Sequence, residues 1–192
     1  MSEPFLEVVS EEDLQRRVSQ LGAEIAVDYA NRVPVLVGVL KGSLPFLADL
    51  SRAIDATVQI DFLTLTRFGE EGRVSIAMDV SVPLRGRDVL IVEDIVDTGL
   101  TLAAMHRMLE TRDPASIRTV ALLDKAARRI VDVDIAYRGF EVGDEFLVGY
   151  GLDFAGYYRN LRSLWAVMDL GELAEQPGRF ARSLLGGVGT GT

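Results

Sequence analysis

One stretch constrains this chain more than any other: Val89-Leu90-Ile91-Val92-Glu93-Asp94-Ile95-Val96-Asp97-Thr98-Gly99-Leu100-Thr101. Its apolar, β-branched opening reads as a strand buried on both faces, which is the habit of a parallel sheet rather than of a half-solvated antiparallel one. A helical pattern follows from about Leu100 to Thr111, and a second buried run spans Ile117 to Leu123. Strand, helix and strand at this spacing form a right-handed βαβ unit. The fold class is therefore α/β, with a twisted, mainly parallel, Rossmann-like sheet flanked by helices.

The rest of the chain fits that frame. Ser10 precedes Glu11, Glu12 and Asp13, as an N-cap precedes acids in a first helical turn, and Leu14, Val18, Leu21, Ile25 and Tyr29 follow at helical spacing. Pro34 to Leu40 is a buried strand and Ser43 to Ile54 the helix behind it. Val58 to Thr66 and Val74 to Met78 are β-rich and separated by a polar, Gly-containing stretch, so they read as a hairpin arm with a mobile loop. Shorter strands are expected at Ile135 to Tyr137, Phe146 to Tyr150 and Leu164 to Met168. Beyond Gly171 the periodicity fades, so residues 171–192 read as a partly flexible extension of a single domain spanning residues 1–170.

Composition sets the limits on chemistry. With 20 Lys plus Arg against 29 Asp plus Glu, the net charge of −9 steers nucleic acid and anionic lipid away, so any anion must be held by a local site. The absence of cysteine excludes disulfides and thiolate chemistry, and a single histidine, His106, excludes a multi-histidine zinc site. No apolar run approaches the length of a membrane span, and the N-terminus lacks the pattern of a secretory signal, which leaves the cytoplasm as the expected address.

In a parallel sheet, ligands sit beyond the carboxyl ends of strands, where helix N-termini offer free backbone N–H groups. Thr98, Gly99 and Thr101 have the hydroxyls and the open backbone of a monophosphate cup, and Glu93 with Asp94 suits sugar hydroxyls or a hydrated Mg²⁺. An Asp-Thr-Gly turn can also simply cap a helix, and paired acids at a strand end can simply be solvated.

The thirteen-residue string resembles the phosphoribosyl pyrophosphate signature of type I phosphoribosyltransferases. Leu40-Lys41-Gly42, Leu122-Leu123-Asp124-Lys125, the run from Asp144 to Asp153, and Tyr158-Arg159-Asn160-Leu161 are similar to the hypoxanthine-guanine branch of that family, in the same order over about residues 5 to 168. The resemblance implies a type I phosphoribosyltransferase fold with a small hood, built from the N-terminal helix and segments near residues 125–168, and a mobile lid over about residues 66–74. It implies conversion of hypoxanthine or guanine plus phosphoribosyl pyrophosphate to IMP or GMP plus pyrophosphate, with Mg²⁺ as cofactor, in a homodimer or homotetramer. Two other readings stay open: a paralogue acting on xanthine or another base, and a nucleotide-sensing regulator on the same fold.

The resemblance also implies roles. Asp97 matches the general acid/base near the purine N7, and Asp97, Thr98, Gly99, Leu100 and Thr101 match the 5'-phosphate loop. Glu93 and Asp94 match the pair facing ribose and Mg²⁺, and Leu40, Lys41 and Gly42 match a pyrophosphate loop holding a non-proline cis peptide. Lys125 matches the donor to the purine O6, Phe146 the ring stacked on the base and Leu147 the backbone reading its edge. Asp153 matches a Mg²⁺ ligand beside the base and the pyrophosphate, and Arg159 a pyrophosphate contact. Taken alone, Lys41, Lys125 and Arg159 read equally as surface charges, Phe146 as core and Asp153 as a turn residue. His106 and Trp165 read as structural. The lid departs from the family pattern: Thr66-Arg67-Phe68-Gly69 stands where a Ser-Tyr pair is usual, and five residues separate Phe68 from Val74. Arg67 and Phe68 are then the lid's candidate phosphate donor and shield.

Overall fold

A computed structural model describes residues 4–68 and 73–185. The chain divides into two compact units, one of residues 15–144 and one drawn from residues 1–14 and 145–192.

The larger unit is built on a six-stranded sheet. In chain order its strands are β2 (Val35–Val39), β3 (Gln59–Phe68), β4 (Arg73–Met78), β5 (Asp88–Val96), β6 (Ser116–Asp124) and β7 (Tyr137–Glu141). They lie in the spatial order β4-β3-β2-β5-β6-β7, parallel throughout except for β4, which returns antiparallel to β3 as a hairpin. The helices are α1 (Glu11–Asp28), α2 (Leu44–Ala53) and α3 (Leu100–Glu110).

Side-chain alternation along the strands assigns each helix its face. Val35 and Val37 on β2 and Val89 and Ile91 on β5 pack with Leu102, Met105 and Leu109 of α3. On the opposite face Gly38 admits α2, since a Cβ there would stand 2.6 Å from Leu47 Cδ2. Gly22 of α1 lies equally close to α2, where a Cβ would meet the Ala53 carbonyl oxygen at 2.5 Å. The expected apolar stripe of α1 is buried, with Val18, Leu21, Ile25 and Tyr29 each no more than 1% exposed. At its start Ser10 Oγ accepts from the Asp13 amide at 3.1 Å, the expected cap.

The base of the hairpin is fixed by one side chain. Asp61 on β3 accepts from the backbone amides of Phe62, Ser81 and Val82 at 2.7–2.8 Å, clamping the chain that leaves β4. Burial pushes its carboxyl up, but these donors outweigh that and hold it below the usual value. Above the clamp a register shift between Thr64 and Leu65 interrupts the pairing.

The smaller unit holds a three-stranded antiparallel sheet, β1 (Phe5–Val9), β9 (Leu164–Val167) and β8 (Leu147–Val148), in that order. Two short helices follow, α4 (Leu170–Glu175) and α5 (Ala181–Leu185).

The structure corrects several sequence expectations. The strand expected at residues 135–137 runs instead from Tyr137 to Glu141, because register with β6 pairs Tyr137 with Val120 and Glu141 with Asp124, while Ile135 packs on the α3 side of the core. The strand expected over residues 146–150 ends at Val148, where Gly149, Tyr150 and Gly151 take positive φ angles of 103°, 44° and 104°. β5 continues through Glu93 and Asp94 to Val96, so the two acids lie within a strand rather than at its tip. Apart from these corrections, strand β1 and the first turn of α1 group with the smaller unit, and residues 125–144 with the larger one. The extension after Gly171, read as aperiodic, carries ordered helices as far as Leu185. No helix among the described residues is long and apolar enough to cross a membrane.

Candidate active site

Strand order reverses between β2 and β5: from β2 the chain moves outward to β3 and β4, and from β5 outward to β6 and β7. Crossovers leaving in opposite directions open a crevice beyond the carboxyl ends of these two strands. A cavity of about 540 Å³ lies there, lined by Val39 and Leu40 from the end of β2 and by the run Glu93 to Gly99, with Thr101 and Arg128.

The loop from β5 to α3 is shaped for an anion. Gly99 occupies the N-cap of α3 with φ of 82°, a left-handed conformation costly for other residues, and it offers no side chain to the helix end. The first amides of α3 have no carbonyl one turn earlier to accept from them, so this end attracts negative charge. The loop's carbonyls are meanwhile tied from behind. Arg129 Nη1 donates to the Asp97 carbonyl at 2.6 Å, and the Ile130 and Val131 amides donate to the Thr98 carbonyl at 2.9 and 3.1 Å. A Cβ on Gly99 would stand 2.4 Å from the Val131 carbonyl oxygen, so the brace also requires glycine.

The opposite wall is the turn after β2. The Leu40-Lys41 peptide is cis, as the resemblance implies. Gly42 closes this turn on the acids of β5: an added Cβ would fall 1.5 Å from Asp94 Oδ2. Asp94 also accepts from the Ile95 amide at 2.9 Å, which fixes its carboxylate. Glu93, beside it, is 6% exposed. Burial pushes its carboxyl well above the usual range, and the charge of Asp94 adds to the effect. Asp97 is more open and pairs with Arg128, whose Nε lies 2.8 Å from Asp97 Oδ1 as an ion pair without hydrogen-bond alignment. Lys125 is buried at the end of β6, with Nζ 3.4 Å from the Asp144 carbonyl oxygen.

Leu40, Lys41, Gly42, Glu93, Asp94, Asp97, Thr98, Gly99 and Lys125 thus belong to the carboxyl ends of β2, β5 and β6 or to the turns that leave them, and Leu100 and Thr101 to the first turn of α3. Phe146, Leu147, Asp153 and Arg159 belong to the smaller unit. Phe146 is 38% exposed and meets Phe154 edge-on at 5.7 Å, so it is a surface ring rather than core. Leu147 is buried in β8. Asp153 and Arg159 pair with each other, Nη2 to Oδ1 at 2.6 Å, while Asp153 Oδ2 accepts from the Gly156 amide and Arg159 Nη1 donates to the Gly151 carbonyl. Arg67 and Phe68 stand in β3 opposite Val74 and Arg73, and the stretch between Phe68 and Arg73 lies outside the described residues. His106 and Trp165 are anchored within the fold: His106 Nε2 lies 2.9 Å from Thr119 Oγ1, and Trp165 Nε1 donates to Ser163 Oγ at 2.8 Å.

With this geometry stated, known proteins provide the frame. The phosphoribosyl transferase domain family matches residues 7–155. The chain belongs to the phosphoribosyltransferase family. It is similar to the hypoxanthine-guanine phosphoribosyltransferase of Bacillus subtilis (strain 168), 45% identical over 158 residues that cover 80% of this chain and 88% of that one. A protein of the same name from Streptococcus agalactiae (serotype V) is 44% identical over 156 residues, covering 79% and 87%. A solved hypoxanthine-guanine phosphoribosyltransferase from Bacillus anthracis superposes with a TM-score of 0.83 at 40% identity, covering 85% of this chain and 98% of that one. A hypoxanthine phosphoribosyltransferase from Staphylococcus aureus gives 0.82, also at 40% identity, over 84% and 90%.

Two residues of this phosphoribosyltransferase escaped the sequence reading. Arg128 lines the cavity and bridges Asp97 and Asp144. Arg129 ties the loop at Asp97 and pairs with Asp124, a carboxylate with 1% side-chain exposure that also faces Arg138 Nε at 2.7 Å. A signal was present: Lys125-Ala126-Ala127-Arg128-Arg129 packs three cations into five positions of an acidic chain, directly after a buried strand.

Proposed function

We propose that this chain is a purine salvage transferase: hypoxanthine or guanine reacts with phosphoribosyl pyrophosphate to give IMP or GMP and pyrophosphate. The observation that carries the reading is the convergence on one cavity of a glycine-opened helix end, three acids of β5 and its following loop, and the cis-peptide turn at Lys41. The helix end holds the 5'-phosphate through the Asp97 to Thr101 loop. Glu93 and Asp94 face the ribose hydroxyls. Lys41 with Gly42, and Arg159, hold the pyrophosphate. Lys125 donates to the purine O6, a contact that a 6-amino group could not accept, and Phe146 with Leu147 binds the base.

The base nitrogen attacks the anomeric carbon as the bond to pyrophosphate breaks, and the electron pair of that bond leaves with the pyrophosphate. The purine is left with one proton too many. Asp97, at the mouth of the phosphate cup, takes that proton from the ring nitrogen N7, a role worth about 10²–10⁴-fold in rate. Phe68 and Arg67 on the hairpin shield the reacting centre and contact phosphate.

The residues present suit Mg²⁺. Among the described residues, no group of three or more His, Asp or Glu side chains could hold a metal by itself. That agrees with an ion which takes one or two carboxylates and completes its shell with water and substrate phosphate. Glu93 and Asp94 would supply carboxylates from the sheet unit, and Asp153 of the smaller unit is the other candidate ligand. When bound, the ion offsets the charge of the departing pyrophosphate. The enzyme would act in the cytoplasm as a homodimer or homotetramer.

The test is pyrophosphate release from phosphoribosyl pyrophosphate and Mg²⁺, with hypoxanthine, guanine, xanthine or adenine, alongside chromatography of the nucleotide. Release that requires hypoxanthine or guanine, matched one for one by nucleotide and abolished by chelation, is expected. Nucleotide formed with xanthine alone, or none at all from folded protein that binds the ligand, overturns the reading.

A further inference from the structure

Residues 170–185 lie beyond the family match, which ends at residue 155. Their helices are built into the smaller unit. Asp169 caps α4 by accepting from the Glu172 amide at 2.9 Å, and Leu173 is 1% exposed. Phe180, Ala181 and Leu184 pack against a cluster of Phe5, Val148, Tyr158, Leu161 and Val167. Phe5 stands between two rings, 5.7 Å from Tyr158 and 5.4 Å from Phe180, the second edge-on. Gly178 lies against Tyr157, where a Cβ would meet the ring at 2.9 Å.

The segment these helices pack against needs such support. Between Val148 and Leu161 the backbone enters the left-handed region at Tyr150, Ala155 and Tyr158, with φ of 44°, 50° and 75°, besides three glycines. Non-glycine residues there persist only where surrounding packing over-determines them. Tyr158, 1% exposed, is the residue on which Phe5 and the C-terminal cluster converge. It directly precedes Arg159, whose carbonyl accepts from the Gly151 amide and whose guanidinium pairs with Asp153.

We propose that residues 170–185 are a positioning segment, which clamps Tyr158 and so holds Asp153 and Arg159 in the arrangement that receives pyrophosphate. The proposal rests on the assignment of Arg159 and Asp153 to the pyrophosphate side. The helices touch no substrate themselves; they act through the Tyr158 backbone. Loss of the clamp lets the loop leave its left-handed conformation, which weakens the binding of the diphosphate group more than the chemical step.

The test uses the full chain, with Phe180→Ala, the conservative Phe180→Leu and, as a control of general stability, Val18→Ala in α1. Two readouts are taken: amide exchange at Tyr150, Gly151 and Leu161, and KM separately from kcat for phosphoribosyl pyrophosphate forward and pyrophosphate in reverse. In Phe180→Ala, loop exchange accelerates about tenfold and both KM values rise about fivefold, with kcat changed less than about twofold. Phe180→Leu recovers most of both effects, and Val18→Ala lowers the melting temperature without either. The proposal is overturned if Phe180→Ala loses melting temperature while loop exchange and KM stay as in the parent, or if exchange accelerates with KM unchanged. Absence of transferase activity in the unmutated protein defeats the salvage reading, and the exchange readout then still decides whether the helices clamp the loop.

Discussion

The three acids of the β5 region, Glu93, Asp94 and Asp97, share a neighbourhood and differ in their supports. Asp94 is packed against Gly42, Glu93 is buried, and Asp97 is half-open and held by Arg128. That difference divides their tasks. In the reaction proposed above Asp97 exchanges a proton with the bound base, and Asp97→Asn keeps the shape while removing the exchange. Turnover should fall by about 10²-fold or more in steady-state assays, with folding unchanged by circular dichroism. For Glu93 the consequence is thermodynamic. Its folded-state pKa lies above the unfolded value, so the folded state binds the extra proton. That contribution to stability is complete below the unfolded value of 4.5 and is lost as pH rises through the folded one. Glu93→Gln should therefore melt higher than the parent at pH 8 in metal-free buffer, with the advantage shrinking toward pH 4.5. An advantage that grows at low pH would show the sign to be wrong.

At the level of elements, the proposed phosphate loop is a turn tied from behind. Gly99→Ala adds a Cβ at a positive φ and against the Val131 carbonyl, so it should destabilise by more than about 1 kcal/mol and remove nucleoside monophosphate binding by calorimetry. Arg129→Ala removes one of the two cations facing a buried Asp124 and frees the Asp97 carbonyl. Leaving a buried charge unpaired costs about 3–5 kcal/mol, and because Arg138 stays beside Asp124 denaturant titration should show a loss below that size. Elements like these differ in how far they could be read from the chain. β2, β5, β6, α1 and α3 were legible because long apolar runs and helical spacing are local signals. The acids and the Thr98-Gly99-Leu100-Thr101 run stood out because a buried apolar strand leads straight into them, and the Leu40-Lys41-Gly42 turn stood out only through the family resemblance. Arg128 and Arg129 were not, since an arginine's partners are chosen by tertiary packing. β7 was displaced because register with β6 outweighs local propensity. α4 and α5 are too short for periodicity to emerge, and they are held by contacts with residues as distant as Phe5.

On the scale of the whole molecule, charge sorts the anions that can bind. A net −9 repels a polyanion over the whole surface, whereas a monophosphate meets only the local field of one helix end. In gel retardation at about 100 mM salt, RNA should give no shift, and a nucleoside 5'-monophosphate should still raise the melting temperature of the same sample. An RNA shift that weakens steeply with salt would favour a regulatory role instead.

The Asp61 clamp has a bearing on how such a chain can change over generations. By seizing the amides of Ser81 and Val82, it closes the path between β3 and the rest of the sheet well below the hairpin tip. Residues added or lost beyond Phe68 do not alter that closure, so the arm is a compartment whose length can drift without cost to the sheet. An arm of a different length can then be inherited with the rest of the sheet unchanged, and swapping arms between relatives becomes a graft with a defined boundary.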